Sequence, residues 1–180
     1  MTTLEFLDLD ARGCISLAQR QDIVREALTW ERTPFRHQGK VKGVGCDCAM
    51  FPVAVYQLLG LIPPDYQPEY YPMDWHLHHG HHGPNGRVWR GHEGHALEGC
   101  GDERYLREVL RFAYGVDAPQ PGDFVLYRFG RAYAHGGIVL AWPEIIHSAR
   151  TARMVTRAYG LRDGELSHRN PIFFSLWGRQ

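Results

Sequence analysis

Three residues have the types and spacing for nucleophilic chemistry. Cys48 lies in Gly45-Cys46-Asp47-Cys48-Ala49-Met50, just ahead of an apolar, helix-compatible stretch. His135 lies in Ala134-His135-Gly136-Gly137-Ile138-Val139-Leu140, and His147 follows twelve residues later in Ile145-Ile146-His147-Ser148. A thiol at a helix start, a histidine at a strand start and a polar residue on the next strand is the layout of a cysteine nucleophile, its base and the orienter of that base. The thiolate is the reactive species, and a helix N-terminus with an adjacent imidazolium brings its pKa to roughly 3.5–7.5. Backbone N–H groups at the same helix start can face a developing oxyanion. His147 would accept the second ring proton of His135 and fix its tautomer. Taken singly, each residue also fits a plainer role: a buried cysteine is a small apolar side chain, and a histidine beside a strand is a hydrogen-bonder. The three in order, with their neighbours, point to chemistry whose activity needs the thiolate–imidazolium pair and falls at low pH.

The elements that must position these residues are readable in outline. Ser16-Leu17-Ala18-Gln19 has the form of a capping box, and Ile23, Val24, Ala27 and Leu28 then share one face of a helix over about residues 17–30. Thr33-Pro34 ends it, because the residue before a proline is pushed out of the helical region. Gly39, Gly43 and Gly45 mark a loop into the thiol, and residues 48–59 form the helix behind it, with Gly60 as its stop. Pro52 is tolerated in a first turn and removes a backbone bond further in. It therefore predicts a helix that starts a little after Cys48 or is bent at its first turn. Asp102 can cap a further helix in which Tyr105, Leu106, Val109, Leu110 and Ala113 share a face. After the turn Pro121-Gly122-Asp123 come β-like runs at 124–128, 137–142, 144–148, 154–157 and 172–177. Helices first and strands afterwards predict an α+β fold with an antiparallel sheet. No internal repeat is visible.

The chain of 180 residues is 44% hydrophobic, which suits one domain with a sizeable core and argues against disorder. Lys plus Arg and Asp plus Glu are 20 each, a balance that argues against an electrostatic nucleic-acid binder. The N-terminal residues have no basic region or long apolar run, and no stretch approaches the roughly 20 apolar residues of a membrane span. The expectation is a product made in the cytoplasm without a signal peptide. The four cysteines, 14, 46, 48 and 100, read as mostly free thiols, since a disulfide scaffold would carry more.

The wording around the three residues resembles that of the NlpC-type, papain-like cell-wall cysteine peptidases. The resemblance rests on Asp47-Cys48 opening a helix, on His135-Gly136-Gly137-Ile138, on His147 ending the following strand, and on Pro121-Gly122-Asp123 before the first core strand. Thr33-Pro34-Phe35-Arg36-His37-Gln38-Gly39, Tyr71-Pro72-Met73-Asp74-Trp75-His76-Leu77-His78 and Phe173-Phe174-Ser175-Leu176-Trp177 look like the phage-tail and prophage branch. The family often has tyrosine where this chain has Phe35. The resemblance covers about residues 17–177 and implies N-terminal helices packed on an antiparallel sheet in a single domain over 1–180. It implies Cys48 as nucleophile, His135 as base and His147 as orienter, with no cofactor and no metal. The implied reaction is hydrolysis of peptide bonds in peptidoglycan stem peptides. In the phage branch, the implied setting is a phage-like tail or gene-transfer particle, with tail or hub proteins as partners, that opens the cell wall during DNA delivery. Two other readings stand beside it: a catalytically inactive tail-assembly protein of the same fold, and a papain-like amidase or acyl-transfer enzyme.

Residues 76–101 hold seven histidines and seven glycines and read as a long loop. Their spacing matches no defined metal site, so adventitious metal binding is the expectation there. Asp123 reads as a turn residue bonded to backbone. Cys46 reads as packed or idle, near enough to Cys48 to allow oxidative inactivation.

Overall fold

The computed structural model describes residues 16–74, 103–130 and 132–177. The histidine-rich stretch and Asp102 lie outside the described residues. No helix among those described is long and apolar enough to cross a membrane.

Helix α1 runs Leu17–Leu28, and the Ser16 hydroxyl and Gln19 side chain form the reciprocal capping box at its start. It ends two residues before the expected limit, where Thr29 turns and its hydroxyl bonds the carbonyl of Glu26. Two short strands follow, β1 Lys40–Val41 and β2 Gly45–Cys46, then helix α2 Met50–Leu58 and helix α3 Arg104–Leu110. Six strands complete the chain: β3 Tyr114–Val116, β4 Phe124–Phe129, β5 Ala132–Ala141, β6 Glu144–Ala149, β7 Met154–Tyr159 and β8 Ile172–Ser175. They form one antiparallel sheet in the order β3-β8-β4-β5-β6-β7. The α+β class and the antiparallel sheet match the expectation. Strands β1, β2 and β3 were not expected, because two- or three-residue strands have no measurable periodicity. Strand β5 begins five residues earlier than the apolar run suggested, so His135 sits inside a strand rather than at its start.

Period-2 alternation divides the sheet into two apolar faces. Phe124, Leu126, Ile138 and Ile146 join Ile23, Ala27, Phe51, Ala54 and Val55 of α1 and α2 in the larger cluster. Val125, Tyr127, Val139 and Ile145 join Ala158 and Leu166 in a smaller one. An ion pair fastens α1 to the turn before β4: Arg20 Nη1 lies 2.7 Å from Asp123 Oδ1, both side chains buried. Arg20 also donates to Pro121 O, and Asp123 Oδ2 accepts the Gln120 N–H at 2.8 Å. Asp123 is thus a turn residue, as its sequence suggested, with an added ion pair. Gly122 has φ +85°, and a Cβ there would meet the Ile23 side chain at 3.1 Å, so the turn presses directly on α1.

Candidate active site

The loop before Cys48 is held by backbone pairing. Phe35 N–H donates to Arg153 O, Val155 N–H to Thr33 O, and Arg36 N–H to Cys46 O. The Ser148 hydroxyl donates to Cys46 O at 2.9 Å, which ties β2 to β6 one residue after His147. Cys46 is fully buried, and burial pushes its thiol up to about 12, with a bond from Ser148 offsetting part of the rise. It is a packed thiol.

Asp47 makes the turn into α2. Its Oδ1 accepts the N–H groups of Ala49 at 3.1 Å and Met50 at 2.9 Å, while its own carbonyl accepts Phe51 N–H at 3.0 Å. A side chain bonding the second and third N–H groups, over a carbonyl that takes the first helical bond, is the geometry of an N-cap. Cys48 therefore occupies the first position of the turn. Asp47 is buried and satisfied from every side: Gln38 N–H donates to Oδ2 at 2.7 Å, the Tyr71 hydroxyl reaches both oxygens, and His37 Nδ1 lies 3.4 Å away.

Pro52 has no N–H for the carbonyl four residues back. That carbonyl, Cys48 O, accepts the Tyr105 hydroxyl from α3 at 2.7 Å. Helix α3 is itself fixed by Glu103, whose carboxylate accepts Tyr133 N–H at 2.8 Å and pairs with Arg128 at 3.2 Å.

The Cys48 Sγ lies 3.8 Å from Ala134 O on β5, next to His135. Both residues line one cavity of about 560 Å³, together with Phe35, Tyr71, Tyr105, Phe129 and Glu165. His135 Nε2 lies 2.6 Å from His147 Nδ1, with both rings buried and nearly perpendicular at 86°. That pairing occupies Nε2, so a thiol proton taken by His135 must go to Nδ1. The two glycines after His135 make room for this. A Cβ on Gly136 would come within 2.3 Å of the Tyr105 hydroxyl, and a Cβ on Gly137 would lie 2.9 Å from Ile146 O and 3.1 Å from the His147 Cβ.

The electrostatics differ from the sequence expectation. Burial raises the Cys48 pKa above that of a free thiol, the Asp47 charge adds to the rise, and backbone N–H groups of Gly136 and Cys48 offset it only partly. Burial holds His135 well below the usual imidazole range, helped by His147 and Arg169, and holds His147 down to about 4. The resting pair is a neutral thiol beside neutral imidazoles. A thiolate–imidazolium pair was expected from the helix start together with His135, but desolvation disfavours both charges, and the Asp47 charge at that start adds to the rise at Cys48. The arrangement can still perform general-base chemistry: a neutral Nδ1 takes the thiol proton as sulfur attacks, and His147 accepts the Nε2 proton throughout.

The structure thus brings Cys48, His135 and His147 to one region. Sequence reasoning missed Tyr71, Tyr105 and Glu165. A proline five residues into a capped helix signals a carbonyl in need of another donor, which could have prompted a search for Tyr105. Nothing local marks Glu165.

No protein-family profile matches the chain, and no curated protein matches it. Among solved structures it is similar to the NlpC/p60 domain of the peptidoglycan hydrolase SagA, at 20% identity and a TM-score of 0.43, over 78% of this chain and 88% of that one. It is similar also to an NlpC/p60 family protein from Bacillus cereus ATCC 10987, at 17% identity and a TM-score of 0.49, over 85% of this chain. A third is NlpC1 from Trichomonas vaginalis, at 11% identity and a TM-score of 0.49, over 82% of this chain. The matches span 39% and 41% of the Bacillus and Trichomonas chains.

Proposed function

We propose that the protein is a cysteine peptidase that hydrolyses peptide bonds in peptidoglycan stem peptides. In this reading Cys48 is the nucleophile, His135 the general base and then acid, and His147 the residue that orients His135. The observation that carries it is the 2.6 Å pairing of His135 Nε2 with His147 Nδ1, on the strand whose Ala134 carbonyl contacts the Cys48 sulfur. His135 Nδ1 takes the thiol proton as Sγ attacks the scissile carbonyl. The protonated ring then gives that proton to the leaving amine, and water cleaves the thioester with the same base. The Cys48 N–H, the one N–H of the Asp47-capped turn which Asp47 does not take, serves the oxyanion. The motifs around residues 33–48, 71–78 and 173–177 support the further proposal that it works as part of a phage-like tail that opens the wall during DNA delivery.

The test is digestion of purified peptidoglycan by the wild type and by Cys48→Ala, with products identified by mass. New stem-peptide fragments from the wild type alone are expected. Equal cleavage by both proteins would remove Cys48 from the mechanism. A second reading, an amidase or acyl-transfer enzyme of the papain-like kind, is favoured by the apolar walls that Val53, Ile62, Phe112 and Leu176 give the cavity. Release of an acyl or amide product other than a stem peptide would select it.

A further inference from the structure

We infer that His135, His147 and Glu165 form a binding site for a zinc-class divalent cation that switches the hydrolase off. The ligand atoms of the three side chains all lie within 4.8 Å of one another. Two imidazole nitrogens and a carboxylate oxygen are a ligand set that zinc accepts, with its fourth position left open.

Glu165 supplies the second, independent observation. Its Oε1 is buried and has no hydrogen-bond partner among the described residues. A carboxylate oxygen in that state calls for a cation or a donor. The nearby arginine does not satisfy it: Arg169 Nε donates to the backbone carbonyl of Glu165 at 2.6 Å, Nη1 reaches Arg128 O, and the guanidinium lies 3.7 Å over the Phe129 ring. The short turn Gly164–Leu166 that carries Glu165 is itself anchored. Leu166 N–H donates to Asp163 O at 2.8 Å, and the Leu166 side chain is buried in the smaller core cluster. The carboxylate is thus presented from a fixed turn toward the cavity wall that it shares with His135 and Cys48.

The geometry needs only side-chain motion. Ligand atoms on a tetrahedral zinc with bonds of about 2.0–2.2 Å stand roughly 3.3–3.6 Å apart. The two histidine nitrogens, 2.6 Å apart across one shared proton, would open by less than about 1 Å as the metal takes the place of that proton, which is relocated through solvent to Nδ1 of the same ring. Glu165 would close from within 4.8 Å to that tetrahedral spacing, a movement of up to roughly 1.5 Å. Inhibition follows from imidazole chemistry. With the metal on Nε2, a neutral His135 ring carries its proton on Nδ1, the nitrogen otherwise free to take the thiol proton. No base then remains for Cys48.

The inhibition rests on the hydrolase reading, whereas the metal site does not. The test uses the full chain. Zn²⁺ affinity is measured by competition with a chromogenic chelator, and Co²⁺ is added for its visible absorption bands, in the wild type, Glu165→Gln and Glu165→Asp. The histidines of residues 76–101 are present in all three proteins, so their contribution cancels. One site should weaken roughly tenfold or more in Glu165→Gln and less in Glu165→Asp, and the tetrahedral Co²⁺ bands should fade in the Gln variant. Inhibition of hydrolysis by Zn²⁺, taken relative to the metal-free rate of each variant, should weaken in parallel. Equal Zn²⁺ affinity and equal Co²⁺ spectra in folded wild type and Glu165→Gln would overturn the site and leave the hydrolase standing. A site lost in Glu165→Gln, in a protein that hydrolyses nothing, would support the site and remove the hydrolase reading.

Discussion

The Tyr105 hydroxyl does for Cys48 O what the missing N–H of Pro52 cannot. The preceding bond, Phe51 N–H to Asp47 O, is an ordinary helical one at 3.0 Å, so the next donor in register would be residue 52. Proline breaks the series, and Tyr105 closes it from another helix at 2.7 Å. Tyr105→Phe should cost about 1–3 kcal/mol, the range for leaving a buried acceptor unsatisfied. It should also lower turnover, since that carbonyl belongs to the residue that bears the thiol. Pro52→Ala restores a donor, so the double variant should recover much of the lost stability. Denaturant unfolding of the four proteins in this cycle measures the coupling. Simple additivity would show that Tyr105 does not substitute for the helical bond.

The glycines after His135 should resist substitution for different reasons. Gly137→Ala places a methyl group 3.1 Å from the His147 Cβ and 2.9 Å from Ile146 O, so β6 must shift and take His147 with it. Loss of the 2.6 Å pairing should cut turnover by roughly 10²-fold, at the lower end of what general-base assistance is worth. Gly136→Ala instead pushes against the Tyr105 hydroxyl at 2.3 Å and the Phe124 ring at 2.5 Å, so its loss of stability should shrink only in part when Tyr105 is already Phe. Turnover and unfolding midpoints of these variants check both statements. Gly137→Ala with wild-type activity would separate the His135–His147 pairing from function.

What the sequence made legible, and what it did not, follows the range of each interaction. The capping box at Ser16 and the existence of strands β4 through β7 are written within a few residues and read correctly, whereas α1 stops at Leu28, ahead of the Thr33-Pro34 signal, and β5 starts at Ala132. The order thiol, histidine, histidine could also be read, from Asp47, the glycine pair and the apolar run before His147, although β6 continues past His147 to Ala149 rather than ending there. The protonation state could not be read. A helix start favours a thiolate, but burial and the Asp47 carboxylate reverse the sign at Cys48, and both come from residues packed around it in three dimensions. Tyr105 and Glu165 lie 57 and 117 positions after Cys48, and no local pattern links them to it.

The Arg20–Asp123 pair is buried, with side chains 6% and 2% exposed, so breaking it from one side should be costly. Arg20→Met leaves Asp123 without its cation and should destabilise by about 3–5 kcal/mol. Asp123→Asn keeps the Gln120 contact in part and still strands the guanidinium beside Trp177. Combining Arg20→Met with Asp123→Asn should cost less than the sum of the two, since neither variant then leaves a lone buried charge. Thermal unfolding of the three variants tests this. Additive losses would mean that the two groups act independently.

The pH dependence follows from the histidine pair. Burial keeps both rings neutral, with His147 down to about 4 and His135 well below the usual range. Each group binds its proton less readily folded than unfolded. Between the unfolded value near 6.5 and the folded value, the unfolded state therefore holds more protons, and stability falls as pH falls through that window. For His147 the loss amounts to on the order of 3 kcal/mol by about pH 4. The acid limb of kcat/KM should likewise lie below 6.5, because the base stays neutral to lower pH than a free imidazole. At the thiol the sign is opposite: Cys48 is raised, so its alkylation by iodoacetamide should be slow at neutral pH and still climbing above pH 8.5, where an exposed thiol levels off. Cys46 is fully buried whereas Cys48 is part-exposed, so Cys46 should react more slowly still. Mass-resolved alkylation at each pH separates the two sites. A plateau for Cys48 already reached below pH 7 would show a thiolate formed before substrate arrives, and the general-base step assigned to His135 would give way to an ion pair.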